Sequence, residues 1–491
     1  MFKSQNILLI NPPVYDFAAY DLWAKPLGLL YLSSILKQQN INVTLFDYMD
    51  RQHDIYLNNT SMSSEYIFPK NGSNIYGCGH YIKKEIIKPD VIKNIKRKYF
   101  RFGIPEQEAE KFFLNLKNNK KIDMIIIGSI MTYWYLGVAE TAKILKKIFP
   151  DVPIILGGVY ATLCEEHAKN LYGIDEVVAG SLINFNAVFK KYNFDINISC
   201  DFKNFPAPDY SYYRNLEYIV LKTSIGCPFK CSYCAQYVLN KNGYSVKNPM
   251  IIKEEIERQC TLNDNVQCIT NGERQKMKDN GNIDSVSVCG ADARNDRRNG
   301  NINNIAFYDD ALLFNADNNI KVLLKEFAKD GKKFYFHTPN GLHARFVDDE
   351  LAELMFNAKF IQPRFSLETS NAEEQKNSNN KVSNKEYERT INFLRKAGYK
   401  DGEYITYLLM GMPGQSMENV RESIKYVHSL GSRISLSEYS PIPYTADWQK
   451  LDENLKKDPL TQNNTFFISL NKDYEKLQEL KILAKELNNK L

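Results

Sequence analysis

Short apolar runs rich in β-branched residues recur through the first third of the chain and alternate with amphipathic stretches. Amphipathic segments with helical spacing lie between several of the runs, notably Leu27–Lys37 and Val138–Ile148. Strands that alternate with helices predict βαβ units, and therefore an α/β domain with a parallel, doubly wound sheet over residues 1–195. The predicted strands are Ile7–Ile10, Val43–Phe46, Met124–Ile127, Ile154–Leu156 and Glu176–Ala179.

A second alternation of strand and helix patterns follows, and it predicts a parallel (β/α) barrel over residues 216–447. Between the two domains, residues 196–215 contain two prolines and no apolar periodicity, which favours an extended linker. The C-terminal extension, 448–491, includes leucines at helical spacing over Asp473–Leu487. We expect this last stretch to form an amphipathic helix that docks on the barrel.

A long segment, 51–121, interrupts the first domain. Long loops in compact domains are usually functional or disordered, and interleaved aromatic and basic residues favour an ordered segment here. The basic stretch Lys93–Arg101 is interpreted as the solvated face of a helix, with an anionic-substrate site as the alternative. Cys78 and His80 are too few to form a metal site, so a packed loop is expected around them.

A second interruption, 260–303, lies inside the predicted barrel. It is rich in Asn, Asp, Gly, Arg and Lys, and such low hydrophobicity favours a mobile insertion. A second cluster site is the alternative interpretation, because the segment carries Cys260, Cys268 and Cys289. These three cysteines are too widely spaced to match a known ligand pattern.

Composition and charge exclude several functional classes. The chain has 491 residues, and a net charge of +5 over this length does not indicate a nucleic-acid partner. No apolar run approaches the ~20 residues of a membrane span, and the first apolar run is too short and wrongly flanked for a signal peptide. Nine cysteines without such a peptide predict a reducing, cytoplasmic location, where clustered thiols indicate metal.

The candidate chemistry centres on the stretch Thr223–Gln236. It carries Cys227, Cys231 and Cys234 in a C-x3-C-x2-C pattern. Three thiolates on one loop can hold three corners of a cubane iron–sulfur cluster and leave the fourth iron open to another ligand. A structural zinc site is the alternative, but zinc sites usually pair two cysteine knuckles, and no second knuckle follows at a matching distance.

This cysteine spacing, with the aromatic Tyr233 before the last cysteine, resembles the radical S-adenosylmethionine (SAM) superfamily. The resemblance implies a 4Fe-4S cluster whose open iron binds the amino and carboxylate groups of SAM. It also implies reductive cleavage of SAM to a 5′-deoxyadenosyl radical, and an electron donor such as flavodoxin or ferredoxin. The implied fold is a partial (β/α)6 radical SAM barrel, with the chemistry at the carboxyl ends of its strands.

Polar and glycine-rich strand ends follow the cysteine loop in the order that this family implies. Asp309 and Asp310 suit an ammonium group, and Arg345 could clamp a carboxylate. His343 is interpreted either as an acid/base group or as a packing residue. The residues that the resemblance assigns to SAM binding are Tyr233, Tyr308, Asp309, Asp310, Arg345, Ser366, Glu368, Gly411, Pro413 and Gly414.

The strand-end sequences Asn11–Pro13, Gly128–Tyr135 and Leu156–Thr162, placed before this motif, resemble those of cobalamin-binding radical SAM proteins with a Rossmann-like domain. The chain lacks the DxHxxG motif of other cobalamin proteins, and Asp50–His53 has the wrong spacing. We therefore expect cobalamin without a histidine on its lower face, and His53 at the surface. The residues that the resemblance assigns to cobalamin are Asn11, Pro12, Pro13, Ser129, Thr132, Tyr133, Gly157, Gly158, Ala161, Thr162 and Gly180.

Together these features predict a cytoplasmic radical SAM enzyme that uses a cobalamin to transfer a methyl group to an unactivated carbon. One alternative uses the same cofactors for rearrangement or cyclisation without methyl transfer. Another is a sensor protein that binds iron–sulfur and cobalamin without turnover. The substrate, a small molecule or a peptide, is not identified by any residue.

Overall fold

The computed structural model describes residues 5–56, 64–70, 72–241, 243–260, 303–329, 331, 334–470 and 474–491. Apart from residues 260 and 303, the predicted insertion 260–303 therefore lies outside the described residues. Within the described ranges, no helix combines the length and the apolar character that crossing a membrane requires.

The first domain is built on a five-stranded sheet in the order β11-β10-β9-β1-β4, with every neighbouring pair parallel. This confirms the predicted doubly wound α/β fold. The strands of the domain are β1 (Asn6–Asn11), β2 (Val14–Asp16), β3 (Tyr20–Asp21), β4 (Asn42–Asp47), β5 (Tyr66–Ile67), β6 (Gly79–His80), β7 (Lys83–Ile86), β8 (Tyr99–Phe102), β9 (Met124–Ile127), β10 (Ile154–Gly157) and β11 (Glu176–Val178).

Both faces of this sheet are covered, which explains why its strands read as continuous apolar runs. Alternate residues of β1 point to opposite faces. Leu9 packs in the same cluster as Leu30, while Leu8 packs in a second cluster with Phe113 and Val138. The helices of the domain are Leu27–Gln38, Glu106–Asn119, Tyr135–Ile148, Val159–Leu163, Glu165–Lys169 and Phe185–Lys191.

The segment 51–121 contributes β5, β7 and β8, which form a small antiparallel sheet with β2 in the order β2-β8-β7-β5, and the helix Glu106–Asn119. The interpretation of Lys93–Arg101 as a solvated helical face is wrong, because its end forms strand β8. Arg101 is buried and donates from Nη2 and Nε to the Glu140 carboxylate, at 2.7 and 2.9 Å. The alternation of the strand turns Arg101 inward, where this ion pair joins the segment to the helix Tyr135–Ile148. Cys78 is buried, as expected for a packed loop.

The second domain contains two parallel three-stranded sheets, β12-β15-β16 and β17-β18-β19, and a short hairpin of β13 and β14. Isolated parallel bridges, Phe336 to Phe360 and Leu342 to Phe365, lie between the two sheets. The predicted partial barrel of six parallel strands is thereby confirmed. Its strands are β12 (Tyr218–Leu221), β13 (Ser224–Ile225), β14 (Ser245–Val246), β15 (Asn304–Phe307), β16 (Tyr335–His337), β17 (Arg364–Glu368), β18 (Ile405–Met410) and β19 (Arg433–Glu438).

Helices cover the outside of these strands, and residues 249–260 are also helical. The other helices from the barrel onward are Gln236–Leu239, Ile320–Lys329, Asp349–Asn357, Ala372–Asn377, Asn384–Ala397, Met417–Ser429, Ala446–Gln449, Asn464–Ser469 and Tyr474–Asn488. The last of these docks on the barrel, as predicted. Its Leu477 and Leu480 are buried, and its Asn488 pairs with the backbone of Ile434 in β19.

Buried hydrogen bonds connect the first domain to the linker and to the first barrel strand. The Tyr213 hydroxyl, from the predicted linker, donates to Asp47 at the end of β4 (2.7 Å). The Tyr218 hydroxyl, from the first barrel strand, donates to Asp21 (2.7 Å). The predicted domain boundaries at residues 195, 215 and 447 remain predictions, but these contacts orient the two sets of strands toward one another.

Candidate active site

The cysteine loop begins directly after β12, the first barrel strand. Gly226 adopts φ +79°, and a β-carbon at this position would overlap the carbonyl oxygen of Gly243 on the other arm of the hairpin. Only glycine combines this conformation with such a close approach. The sharp turn therefore delivers Cys227, Cys231 and Cys234 to the carboxyl end of the barrel.

The three thiols lie close enough to influence one another. Burial raises the pKa of each, and for Cys234 it does so to about 11, with smaller contributions from Cys231 and Cys227. The Lys381 ammonium acts in the opposite direction on all three. Because a cluster requires thiolates, assembly must displace these protons, and the nearby cation favours the charged form. The donor set fits a three-thiolate iron–sulfur cluster.

Glu368 is held beside this loop by an irregularity in β17. The register shifts between Ser366 and Glu368, and Glu368 adopts φ +68°. Bulges of this kind redirect side chains near functional sites. Its carboxylate accepts from the Tyr233 hydroxyl at 3.2 Å and from the Lys381 ammonium at 3.0 Å. The structure thus joins two predicted residues and adds Lys381, which sequence reasoning missed.

Asp309 and Asp310, at the end of β15, also contact the cysteine loop. The Asp309 carboxylate accepts from the backbone N–H and the hydroxyl of both Thr223 and Ser224, at 2.6–3.1 Å. Burial raises the pKa of Asp309, and the hydrogen bonds from Ser224 and Thr223 oppose that rise. Asp310 accepts from the N–H of Gly226 at 3.1 Å.

Arg345 and His343, two further predicted residues, pack around Phe229 of the cysteine loop. The His343 ring stacks on Phe229 at 5.1 Å, and the Arg345 guanidinium lies 5.4 Å from the same ring. Burial lowers the pKa of His343 well below its usual range. Arg345 also donates to the backbone oxygen of Asn380. The stacking agrees with the packing interpretation of His343.

The other residues predicted to bind SAM are placed at neighbouring strand ends. Tyr308 donates its backbone N–H to Leu221, and Ser366 is buried in the barrel. Gly411 follows β18, and its N–H donates to the side chain of Gln415. Pro413 and Gly414 are exposed in the same turn.

In the first domain, the ends of β9 and β10 are joined by uncharged groups. The Ser129 hydroxyl donates to the Gly157 carbonyl at 2.7 Å and lies 3.4 Å from the N–H of Ala161. Gly158 adopts φ +100°, and a β-carbon there would overlap the Ser129 carbonyl oxygen. This glycine is therefore required by the close approach of two strand ends.

The same chain of contacts continues to β11. The Thr162 hydroxyl donates to the Gly158 carbonyl at 2.7 Å and accepts from the N–H of Gly180 at 2.8 Å. Thr132 and Tyr133 are buried at the turn after β9. The predicted residues at the carboxyl ends of β9, β10 and β11 thus form one continuous edge: Ser129, Gly157, Gly158, Ala161, Thr162 and Gly180.

A cavity of about 340 Å³ opens where this edge meets the barrel and the C-terminal extension. Glu438 at the end of β19 and Thr465 of the extension contribute to its wall. Asn11, Pro12, Pro13, Ser129 and Tyr133 are the predicted residues that line it. The other predicted residues lie outside its lining: Thr132, Gly157, Gly158, Ala161, Thr162 and Gly180. Among the described residues that line the cavity there is no histidine.

Several lining residues were not found from the sequence. Asp16 is buried and accepts from the Trp134 indole N–H at 2.7 Å and from the Asn463 amide at 3.0 Å. Burial raises the pKa of Asp16. Arg97, which belongs to the basic stretch Lys93–Arg101 of the sequence analysis, also lines the cavity and donates to the Thr465 hydroxyl at 2.9 Å. No local motif marks these residues, because their partners are hundreds of positions away. The lining combines apolar surface from prolines and aromatic rings with the charged side chains of Asp16, Lys25, Arg97 and Glu438. Mostly apolar walls with a few placed polar groups are typical of ligand sites.

Residues 221–427 match the family model of the radical SAM superfamily. A search of curated proteins found no significant match. Among solved structures, the radical SAM methyltransferase TsrM from Kitasatospora setae, with cobalamin and a [4Fe-4S] cluster bound, superposes with a TM-score of 0.59 at 14% identity. The match covers 94% of this chain and 85% of that one.

A second TsrM structure, with tryptophan and a SAM analogue bound, gives a TM-score of 0.60 at 13% identity and covers 94% and 83% of the two chains. The cobalamin-dependent radical enzyme OxsB, with aqua-cobalamin and SAM bound, gives 0.53 at 12% identity, over 99% of this chain and 62% of that one. At such identities the likeness concerns the fold, and it confirms the predicted two-domain architecture. These neighbouring structures contain, between them, the three cofactors that the sequence predicts: a [4Fe-4S] cluster, SAM and cobalamin.

Proposed function

We propose that this protein, which contains a radical SAM domain, is a cobalamin-dependent enzyme that cleaves SAM reductively and methylates an unactivated carbon. The observation that carries the proposal is the shared cavity between the domains. It is lined by the carboxyl ends of β1 and β9 from the first sheet and of β19 from the barrel. Ligands of parallel sheets bind at these ends, so a cofactor of one domain would face the chemistry of the other.

Three cofactors would supply the chemistry. A 4Fe-4S cluster would provide the electron, and SAM would provide the 5′-deoxyadenosyl radical that removes a hydrogen atom. A cobalamin would provide the methyl group. Cys227, Cys231 and Cys234 would hold the cluster. Lys381 supplies a positive charge beside these thiols, and it also fixes Glu368. Because an ammonium stabilises nearby thiolates, this arrangement favours retention of an anionic centre.

In the first domain, the residues act mainly by shape. Pro12 and Pro13 present rigid apolar surface to the cavity, and Ser129 and Asn11 present polar groups at its edge. Asn11 donates to Asp47 (2.7 Å), so its side chain is held in one orientation. The described residues that line the cavity include no histidine, so none of them would offer an imidazole to a cobalamin bound at this edge.

The test is anaerobic reconstitution with iron, sulfide and cobalamin, followed by SAM and dithionite. We expect a cluster absorption band, bound corrin and release of 5′-deoxyadenosine. Cys231→Ala should lose the cluster and the deoxyadenosine while it retains the corrin. Cys200→Ala is the matched control, because Cys200 is an exposed cysteine outside the loop.

Absence of deoxyadenosine from a cluster-loaded protein would contradict the enzyme function and favour the sensor alternative. Deoxyadenosine with a rearranged or cyclised product, and no added methyl group, would favour the alternative in which the same cofactors carry out rearrangement or cyclisation. The small-molecule or peptide substrate, the flavodoxin or ferredoxin donor and the cytoplasmic location remain part of the proposal.

A further inference from the structure

Asp310 occupies a position from which it can reach both ends of the cysteine loop. It lies just beyond β15, which pairs in parallel with β12, so that Phe307 stands opposite Leu221. The carboxyl ends of these two strands are therefore adjacent. The loop that leaves β12 must pass the residues that follow β15.

Three donors from the loop converge on the Asp310 carboxylate. Oδ2 accepts from the N–H of Gly226 at 3.1 Å, and Oδ1 accepts from the Gln236 side-chain amide at 2.6 Å. The Lys222 ammonium lies 3.2 and 3.4 Å from the two oxygens. Gly226 directly precedes Cys227, and Gln236 follows Cys234 by two residues. One carboxylate thus spans the loop from before its first cysteine to beyond its last.

These contacts occupy most of the hydrogen-bond acceptor capacity of the Asp310 carboxylate. An ionised carboxylate offers about four lone-pair sites, and Asp310 receives four contacts from three groups. Only 5% of its side chain is exposed. Asp309 is similarly engaged by Thr223 and Ser224. Little capacity remains for the ammonium group of SAM, to which the sequence analysis assigned both aspartates.

We infer that Asp310 is a positioning residue that clamps both ends of the cysteine loop through Gly226, Gln236 and Lys222, and that it does not bind the SAM ammonium. This inference deepens the proposed function and rests on it, because the loop is taken to hold the cluster. The clamp fixes the turn at Gly226, whose left-handed backbone has its N–H directed at the carboxylate.

The decisive variant is Asp310→Asn. The amide group replaces one acceptor oxygen of the carboxylate with an NH₂ donor, which then faces a donor of the loop. We expect the reconstituted variant to lose iron to a chelator about tenfold faster than the wild type, since hydrogen bonds to charged groups are lost. SAM affinity of the protein that still carries a cluster should change by less than about twofold. Asp317→Asn is the matched control, an exposed aspartate on the segment that follows the same strand.

A second variant tests whether the effect passes through the clamp. Asp310→Asn leaves the Lys222 ammonium without its partner, so adding Lys222→Met should recover part of the cluster lifetime. Residues in one network couple in this way, whereas a residue that only binds SAM would show no such rescue. Hydrogen exchange at the N–H of Gly226 in the cluster-free full-length chain gives a readout that needs no cofactor.

The outcomes separate this inference from the proposed function. A normal cluster lifetime with about tenfold weaker SAM binding would overturn the inference and return Asp310 to the ammonium site. Normal values for cluster lifetime, SAM affinity and Gly226 exchange would also overturn it. A wild-type protein that assembles no cluster would overturn the proposed function, while faster Gly226 exchange in Asp310→Asn would still support the clamp.

Discussion

The strand ends of the barrel and those of the first sheet are built in different ways. At the barrel, buried charges hold the site, with Glu368 paired to Lys381 and Asp310 to Lys222. At the first sheet, uncharged groups do so, through hydroxyl and backbone contacts of Ser129, Gly158 and Thr162. A site for charged thiolates and SAM needs counter-charges, whereas a large ring needs a close-fitting edge.

The largest effect on stability is expected at the barrel. Lys381→Met would leave the Glu368 carboxylate buried without its cation, and breaking such a pair costs about 4 kcal/mol. Urea unfolding of the cluster-free chain measures this loss. Lys376→Met, an exposed lysine in the same stretch, is the control and should be nearly neutral.

Replacing both partners should recover much of the loss at this pair. The double variant Lys381→Met with Glu368→Gln leaves no unpaired charge, so its free energy of unfolding should exceed that of Lys381→Met alone. If Lys381→Met proves neutral, the barrel site is not held by charge, and the contrast between the two sets of strand ends fails.

An intermediate effect is expected at the first sheet. Gly158→Ala would place a side chain at φ +100° against the Ser129 carbonyl, which costs about 2 kcal/mol. We expect weaker corrin binding with an unchanged iron content, measured on the same reconstituted sample. Gly28→Ala is the control, because Gly28 lies in a helix with open space at its β-carbon position.

The smallest effect is expected for Thr162→Val. This change removes the hydroxyl that joins Gly158 to Gly180, and these neutral, partly exposed hydrogen bonds contribute about 1 kcal/mol or less. Corrin titration should show a modest loss of affinity, and thermal unfolding should change little. A loss as large as that of Lys381→Met would show that uncharged contacts hold the first sheet as firmly as charges hold the barrel.

Local sequence patterns predicted most of the fold and the cysteine loop at the centre of the candidate site. The apolar runs of β1, β9 and β10 appear in the structure within a residue or two of their predicted bounds. The spacing of the three cysteines is also local, because one short loop presents them. The helical interpretation of Lys93–Arg101 failed because tertiary packing turned Arg101 inward to Glu140.

By itself, the sequence determined the order of strands and helices along the chain, the cysteine loop and the glycines that its turns require. These features depend on residues that are neighbours in the chain. Only the tertiary structure decided which charges meet. Lys381 reaches Glu368, and Asp310 reaches Gly226 across 84 positions of the chain. No periodicity records such contacts. Asp310 meets Gly226 because the parallel strands β12 and β15 place their carboxyl ends side by side, and Lys381 meets Glu368 because the chain comes back to the end of β17 after the helix Ala372–Asn377.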